Sequence, residues 1–391
     1  MRQNSPFQQQ VVQLARSSDA QRLADFFIGV PCLLVLRTFR RPSLLPKTIR
    51  RIGVICPTAI GDLILATGLL ARIQQHLPHA EIHLFHGKTN AAVLPLLPVP
   101  TINHECNFGN IFRTIGFIRD ASLDVIIDIT PWPRITALMA CLSRAVAIGY
   151  RTKGQFRHFA FDLVVPHLSS RHELDNLRDI ADLFGRAQEI RPFLIAPDVG
   201  VDIGLKWDNT VLCHPCPGGS RAAAKQWPHE RWAQLTDALV AKGYSVCFTG
   251  SSADTGTVAT ILSLLTCDRA SVSSLCGAIS LSKLSWILQH CRLLITVDTG
   301  IMHLGSVVNA PLVALMGPTL PSRWGPRSNN ATTVQSPHSK AGYIDLGFER
   351  CSDMGAVMQE ISVDDVISAV EARLARPSSL AGGLNPPSVA T

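Results

Sequence analysis

Three short stretches hold residues able to do chemistry. In "TVDTGIMHLG" an apolar run stops at Asp298, and Thr299 and Gly300 open a helical pattern that includes His303. The first amides of a helix have no partner inside it and lie at the positive end of its dipole, so this start suits an anion, foremost a diphosphate. Gly300 would let a ligand approach the backbone, Thr299 offers a hydroxyl, and His303, four residues after Thr299, falls on the same helix face. An ordinary helix cap with a buried histidine fits the same letters. In "HPCPGGSRAAAKQWPHERW" a strand gives way to a glycine-rich turn with Ser220, Arg221 and Lys225. Backbone amides joined by a lysine charge hold phosphates well. No GK[ST] follows the glycines, so this is not a Walker loop, and a basic surface loop is the plainer alternative. In "CPTAIGDLILATGLL" Gly61 permits a tight turn and Asp62 stands at the start of a helix. Asp62 is either a complement to the helix dipole or a carboxylate at a cleft edge, placed to take a proton from a hydroxyl.

Regular elements must position these residues. Strand-like runs at 51–56, 80–85, 123–130 and 145–150 alternate with helical patterns at 60–77, 107–119, 134–143 and 172–185. A stretch rich in Pro, Asp and Gly at 191–209 reads as a linker. The alternation then restarts, with strands at 210–215, 244–250, 293–297 and 311–316 and helices at 228–242, 255–266, 280–290 and 362–375. Strand–helix alternation on both sides of a linker predicts two Rossmann-like α/β domains with parallel sheets, at 48–200 and 205–376. Ligands of such sheets sit at the carboxyl ends of the strands, so a cleft between the domains is the expected site. Residues 1–47 precede this body, and 377–391 read as a disordered tail.

Composition narrows the function. Of 391 residues 47% are hydrophobic and 17% charged, enough apolar side chains for sizeable cores. Eleven cysteines lie scattered through apolar runs, as small hydrophobes in a reducing compartment. Cys213 and Cys216 have CxxC spacing, but no second pair follows, so neither a metal nor a cofactor is expected. The net charge of +7 belongs to residues 1–51, which hold nine basic groups against two acidic ones; the remainder balances 27 against 27. A nucleic-acid protein would spread its basic groups over a folded face, so no nucleic-acid partner is expected. The same segment contains "FFIGVPCLLVL" between Arg22 and Arg37. Eleven apolar residues are too few to cross a bilayer, which takes about 20. An apolar run with flanking cations suits an anionic membrane surface; packing on the body is the alternative.

From about Arg51 to Ala375 the chain resembles glycosyltransferase family 9, the ADP-heptose:lipopolysaccharide heptosyltransferases and their relatives. The matching motifs are "IGDLILATGLL", "HPCPGGSRAAAKQWPHERW", "HELDNLRDIADLFG", "TGSSAD" and, most specific, the run from "LCGAISLSKL" through "DTGIMHLG" to "GPT". The resemblance implies a GT-B fold, an α/β architecture of two Rossmann-like domains facing across a cleft. It implies that Asp62 is the catalytic base, and that Lys225, Asp298, Thr299, Gly300, His303 and Ser220 hold the donor, with Gly317, Pro318 and Thr319 closing its pocket. Ser273 and Ser274 stand where some relatives carry an acidic group toward the adenosine, a departure that leaves the nucleotide less defined. The implied reaction is an inverting sugar transfer, most directly of heptose from ADP-heptose, to a lipopolysaccharide core acceptor. The implied partners are a nucleotide-sugar donor, a lipid-linked anionic glycan acceptor and an anionic membrane surface, for an enzyme in the cytoplasm, peripheral to the inner membrane. Arg113, Arg119, Arg151, Lys153 and Arg157 are candidates to meet the acceptor's charges. Another nucleotide sugar and acceptor within the family, a nucleotide-sugar epimerase, and a non-catalytic sugar-nucleotide binder are the competing readings.

Overall fold

The computed structural model describes residues 19–39, 42–186, 189–202, 204–219 and 221–376. The expected tail at 377–391, the first 18 residues and the candidate Ser220 therefore lie outside the described residues. The N-terminal half runs α1 (Asp19–Phe39), β1 (Arg51–Cys56), α2 (Ile60–His76), β2 (Glu81–His86), β3 (Ile102–Glu105), α3 (Ile111–Asp120), β4 (Val125–Asp128), α4 (Arg134–Cys141), β5 (Val146–Thr152), β6 (Leu163–His167) and α5 (Glu173–Ala181). The C-terminal half runs β7 (Thr210–His214), α6 (His229–Ala241), β8 (Ser245–Phe248), α7 (Thr255–Ser263), β9 (Val272–Ser274), α8 (Leu281–His290), β10 (Leu293–Val297), α9 (Gly300–Val307), β11 (Leu312–Met316), β12 (Ala331–Gln335) and α10 (Val363–Ala375).

Each half is built on a six-stranded sheet, ordered β3-β2-β1-β4-β5-β6 and β12-β11-β10-β7-β8-β9. All ladders within the two sheets are parallel. The central strands are covered on both faces, which is why they read as unbroken apolar runs: β7, β10 and β11 are buried throughout. This is the two-sheet α/β, GT-B type arrangement expected. The strands that pattern reading passed over are β3, β6, β9 and β12, the outermost of each sheet. They are three to five residues long and partly exposed, so they lack the apolar run that marks a central strand.

The strand order reverses between β1 and β4 in one sheet and between β7 and β10 in the other. At such a point the connections leave in opposite directions and open a crevice at the carboxyl edge. One apolar cluster runs through both halves, from Leu63, Leu65 and Leu69 of α2 to Ile301, Met302 and Leu304 of α9.

Helix α1 is docked by one stripe. Leu33 is fully buried, and the Asp25 carboxylate accepts from the amides of Arg134 and Ile135 at the start of α4 (3.0 Å each) while pairing with the Arg134 guanidinium at 3.2 Å. Gly29 makes the close approach possible: a Cβ there would sit 2.7 Å from Arg134 Cβ. The opposite stripe, with Leu23, Phe27, Ile28, Leu34 and Val35, is exposed. Packing and an open apolar face thus coexist on one helix.

Candidate active site

The two sheet crevices meet through the first turns of α2 and α9. A Cβ on Gly300 would lie 2.9 Å from Ile60 Cβ and 3.1 Å from Gly61 N, and one on Gly61 would lie 2.7 Å from His303 Cδ2. Only hydrogen at both positions lets the two helix starts come this close. The result is two sets of unpaired helix amides converging from opposite halves, a focus of positive potential.

The loop after β7 reaches the same place. Gly218 faces Thr299, whose Oγ1 is 3.7 Å from where a Cβ would stand. Further along the loop, Lys225 Nζ pairs with Asp298 Oδ2 at 3.1 Å, and the Thr319 hydroxyl donates to the same oxygen at 2.8 Å. Asp298 is therefore a buried fixture that aims Lys225 and Thr319. Burial alone would raise its pKa, but the Lys225 charge foremost, then His303 and the Thr319 hydroxyl, hold it below the usual carboxylate range. His303 is buried against Gly61, and burial pushes its pKa down to about 4, so it is neutral near pH 7. Gly317 and Pro318 are buried beside Thr319. Gly317 backs onto the short helix Ala356–Gln359, where a Cβ would strike Met358 Sδ at 2.6 Å.

Asp62 sits across from this cluster with the opposite electrostatics. Its Oδ2 accepts from Ala59 N–H at 3.1 Å, which fixes the carboxylate at the start of α2. Burial lifts its pKa above the usual range, while hydrogen bonds from Thr58 and Ala59 and the Lys225 charge pull the other way. The two aspartates thus have their pKa values pushed apart, Asp62 upward and Asp298 downward.

Beneath the site a polar latch ties the halves together. Glu173, at the start of α5, pairs with His167 at 3.1 Å and with the buried Arg323 of the C-terminal half, which also binds Asp345 at 3.0 Å. His172 meets the Gly325 carbonyl at 2.9 Å. Sequence reading matched the "HELDN" motif without giving it a task, because its partner Arg323 lies 150 residues further along the chain.

The five candidate acceptor cations do not share a place. Arg157 has to be removed from the set: its guanidinium is wholly buried, ion-paired to Asp128 and bonded to the carbonyls of Thr130 and Pro133. It braces the β4 end, a role that a buried arginine in a short irregular segment does not announce in sequence. Arg113 and Arg119 lie on α3, Arg113 over the Phe117 ring at 5.3 Å and Arg119 donating to the Leu142 carbonyl at 3.0 Å. Arg151 and Lys153 are exposed at the carboxyl end of β5. Trp132, four residues past the end of β4, packs edge to face on the Phe348 ring of the C-terminal half, with centroids 5.7 Å apart.

Among the described residues no group of three or more His, Cys, Asp and Glu side chains is placed to hold a metal ion, and no helix is long and apolar enough to cross a membrane. A cavity of about 400 Å³ between α6 and α10, lined by Leu239, Tyr244, Arg292 and Glu371, lies at the amino ends of the C-terminal strands, away from all these residues.

Comparison with known proteins adds a lineage to this geometry. Residues 111–343 match the family model of glycosyltransferase family 9 (heptosyltransferase). The lipooligosaccharide heptosyltransferase 2 of Haemophilus influenzae is 36% identical over 121 residues, 31% of this chain and 35% of that one. The alignments to it and to its Escherichia coli counterpart thus span about a third of those relatives' length. A lipopolysaccharide heptosyltransferase 3 of Escherichia coli is 24% identical over 349 residues, 82% of this chain and 98% of that one. Among solved structures, Escherichia coli ADP-heptose lps heptosyltransferase II superposes with a TM-score of 0.66 at 23% identity, covering 83% of this chain and 98% of that one. An Escherichia coli heptosyltransferase solved with ADP gives 0.63 at 15% identity, covering 83% and 99%. At these identities the structural likeness speaks to the fold.

Proposed function

The chain belongs to glycosyltransferase family 9, and from that premise we propose that it transfers a sugar, most directly heptose from ADP-heptose, to an acceptor of the lipopolysaccharide core. The observation that carries the reading is the meeting of Asp62 with the Lys225–Asp298–Thr299 cluster across the joined starts of α2 and α9. In the proposed step the acceptor hydroxyl oxygen attacks the anomeric carbon while its proton passes to Asp62. The bond from that carbon to the diphosphate oxygen breaks on the opposite face, and ADP departs with the electron pair. One displacement inverts the anomeric configuration. Charge grows on the leaving diphosphate, where Lys225, Thr299 and the helix amides stabilise it. Ser220 joins them in this reading, and Gly317, Pro318 and Thr319 form the pocket floor.

The acceptor is lipid-linked, and α1 supplies a reason for the enzyme to be near it. Its outward stripe of Leu23, Phe27, Ile28, Leu34 and Val35, continued by exposed Phe39 and Leu44, lies close in sequence to Arg37, Lys47, Arg50 and Arg51. Apolar side chains beside cations favour an anionic leaflet. On this basis we assign the enzyme to the cytoplasmic side of the inner membrane, held at its surface. The assay that tests the reading supplies a lipopolysaccharide core acceptor and compares donors. ADP release and a glycosylated product are expected with ADP-heptose and not with UDP-sugars. Isomerised donor, or donor binding without any ADP release, would turn the assignment to an epimerase or a binder.

A further inference from the structure

Helix α3 carries an apolar outcrop that the candidate site does not use. Its inward side is set by Thr114 and Ile118, which are buried, with Ile111 and Ile115 packed against the same cluster as Ile118. Its outward side holds Phe112, which is 84% exposed, together with Arg113 and Phe117. Arg113 lies over the Phe117 ring at 5.3 Å, so cation and ring share that side. Phe108, in the turn just before α3, is exposed as well. Single exposed apolar side chains are ordinary, whereas phenylalanines gathered on one short segment point to a surface that something covers.

The outcrop belongs to the same layer as α1. Leu33 of α1, Ile118 of α3 and Ala137, Met139 and Ala140 of α4 form one apolar cluster, so the three helices cover one face of the first sheet. Asp25 of α1 binds the start of α4, and Arg119 of α3 donates to the Leu142 carbonyl at its end, which puts α4 between the other two. Phe108 and Phe112 follow the end of β3, at the carboxyl edge where Asp62 also stands. Leu23 and Phe27 flank Asp25 and therefore lie toward that edge as well. The charges around the outcrop have a bias. Between residues 105 and 160 the exposed charged side chains are Arg113, Arg119, Arg144, Arg151 and Lys153 against Glu105 and Asp120. The other two carboxylates are committed: Asp124 to the amides of Arg50 and Arg51, and Asp128 to buried Arg157.

We infer that the outward face of α3 is a second membrane contact, which together with the α1 stripe seats the cleft-bearing edge of the N-terminal half on an anionic leaflet. This rests on the membrane-surface reading of α1 and deepens it. One contact would only tether the chain, whereas two contacts on either side of α4 set which edge faces the lipid. Aromatic rings beside arginines on one side of an amphipathic helix suit the boundary between headgroups and acyl chains, and the surplus of cations favours anionic lipid over a neutral surface. Continuity with the α1 stripe selects a leaflet over a separate protein partner.

The test is co-sedimentation of the full chain with vesicles of equimolar phosphatidylcholine and phosphatidylglycerol, and with vesicles of phosphatidylcholine alone. The wild type should bind the anionic vesicles and prefer them to the neutral ones. Phe108→Ser with Phe112→Ser should weaken that binding by about tenfold per residue, from lost apolar burial, and leave ADP affinity and oligomeric state unchanged. Phe112→Trp should bind like the wild type, and the emission it adds should shift to the blue when anionic vesicles are present. Wild-type vesicle binding in the serine variant, or an unshifted emission in the tryptophan variant, would overturn the inference. So would equal binding to both vesicle types, or a change of oligomeric state in the serine variant, which would make the face a contact between copies. A wild type that stays in the supernatant would end the membrane reading altogether, α1 included. Neither donor nor acceptor enters this measurement, so a failure of the transfer reading would appear separately, as a wild type that binds vesicles and releases no ADP.

Discussion

Asp62 and Asp298 have the same side chain and opposite chemistry. Asp298 is held by Lys225 and Thr319, which keeps it ionised and weakly basic. Asp62 is lifted above the usual carboxylate range by burial, and in the proposed step it is the base. The sign of the pH dependence follows. A base must be unprotonated, and a raised pKa moves its ionisation to higher pH. The acid limb of kcat/KM should therefore lie above the usual carboxylate range, with activity rising as pH increases through it; a limb at or below the usual range would remove Asp62 as the titrating group. Their positions were legible in sequence because Asp298 ends an apolar run just before Thr299 and Gly300, and Asp62 follows Gly61 at the start of a helical pattern. Their distinct charge states were not, since Lys225 and Thr319 reach Asp298 from 73 residues before it and 21 after it.

At the scale of elements, the long apolar runs of β7, β10 and β11 and the periodic helices were readable, because burial on both faces or along one stripe leaves a pattern. The outer strands β3, β6, β9 and β12 were not, because their pairing is decided by a neighbour and not by their own side chains. Helix α1 shows the same limit from another side. Its apolar run could be read as a packed face or as an exposed one, and it supplies both: Leu33 inward, Phe27 and Leu34 outward. Deleting the whole segment would strip the cover from α4, so point changes on the outer stripe are the cleaner test. Phe27→Glu with Leu34→Glu should leave the fold intact and weaken binding to anionic vesicles by about tenfold per residue, from lost apolar burial. Undiminished co-sedimentation of the double variant would place the membrane contact elsewhere.

At the scale of the molecule, the site exists only while the two halves keep their mutual pose, and the Glu173–Arg323 latch is the buried polar part of that contact. Burial would raise the Glu173 pKa, but His167 and Arg323 overcome it and hold it at about 2, against an ordinary 4.5. A depressed carboxylate contributes stability that is complete above its unfolded pKa and lost as pH falls toward the folded one. Glu173→Gln should thus destabilise the protein by about 3 kcal/mol near pH 7, because it removes the charge that pairs with both buried His167 and Arg323 and leaves Arg323 with Asp345 alone. The gap from wild type should close as pH falls from 4.5 to about 2; a gap independent of pH would deny the latch its charge. The two-sheet architecture was legible from strand–helix alternation, whereas this latch joins residues that no local pattern connects. The central claim, one carboxylate facing a donor cluster across joined helix starts, is tested most directly by Asp62→Asn, measured for ADP affinity and for single-turnover ADP release with acceptor present. The account predicts unchanged ADP affinity and turnover lower by about 10²–10⁴. Turnover at the wild-type level would contradict it.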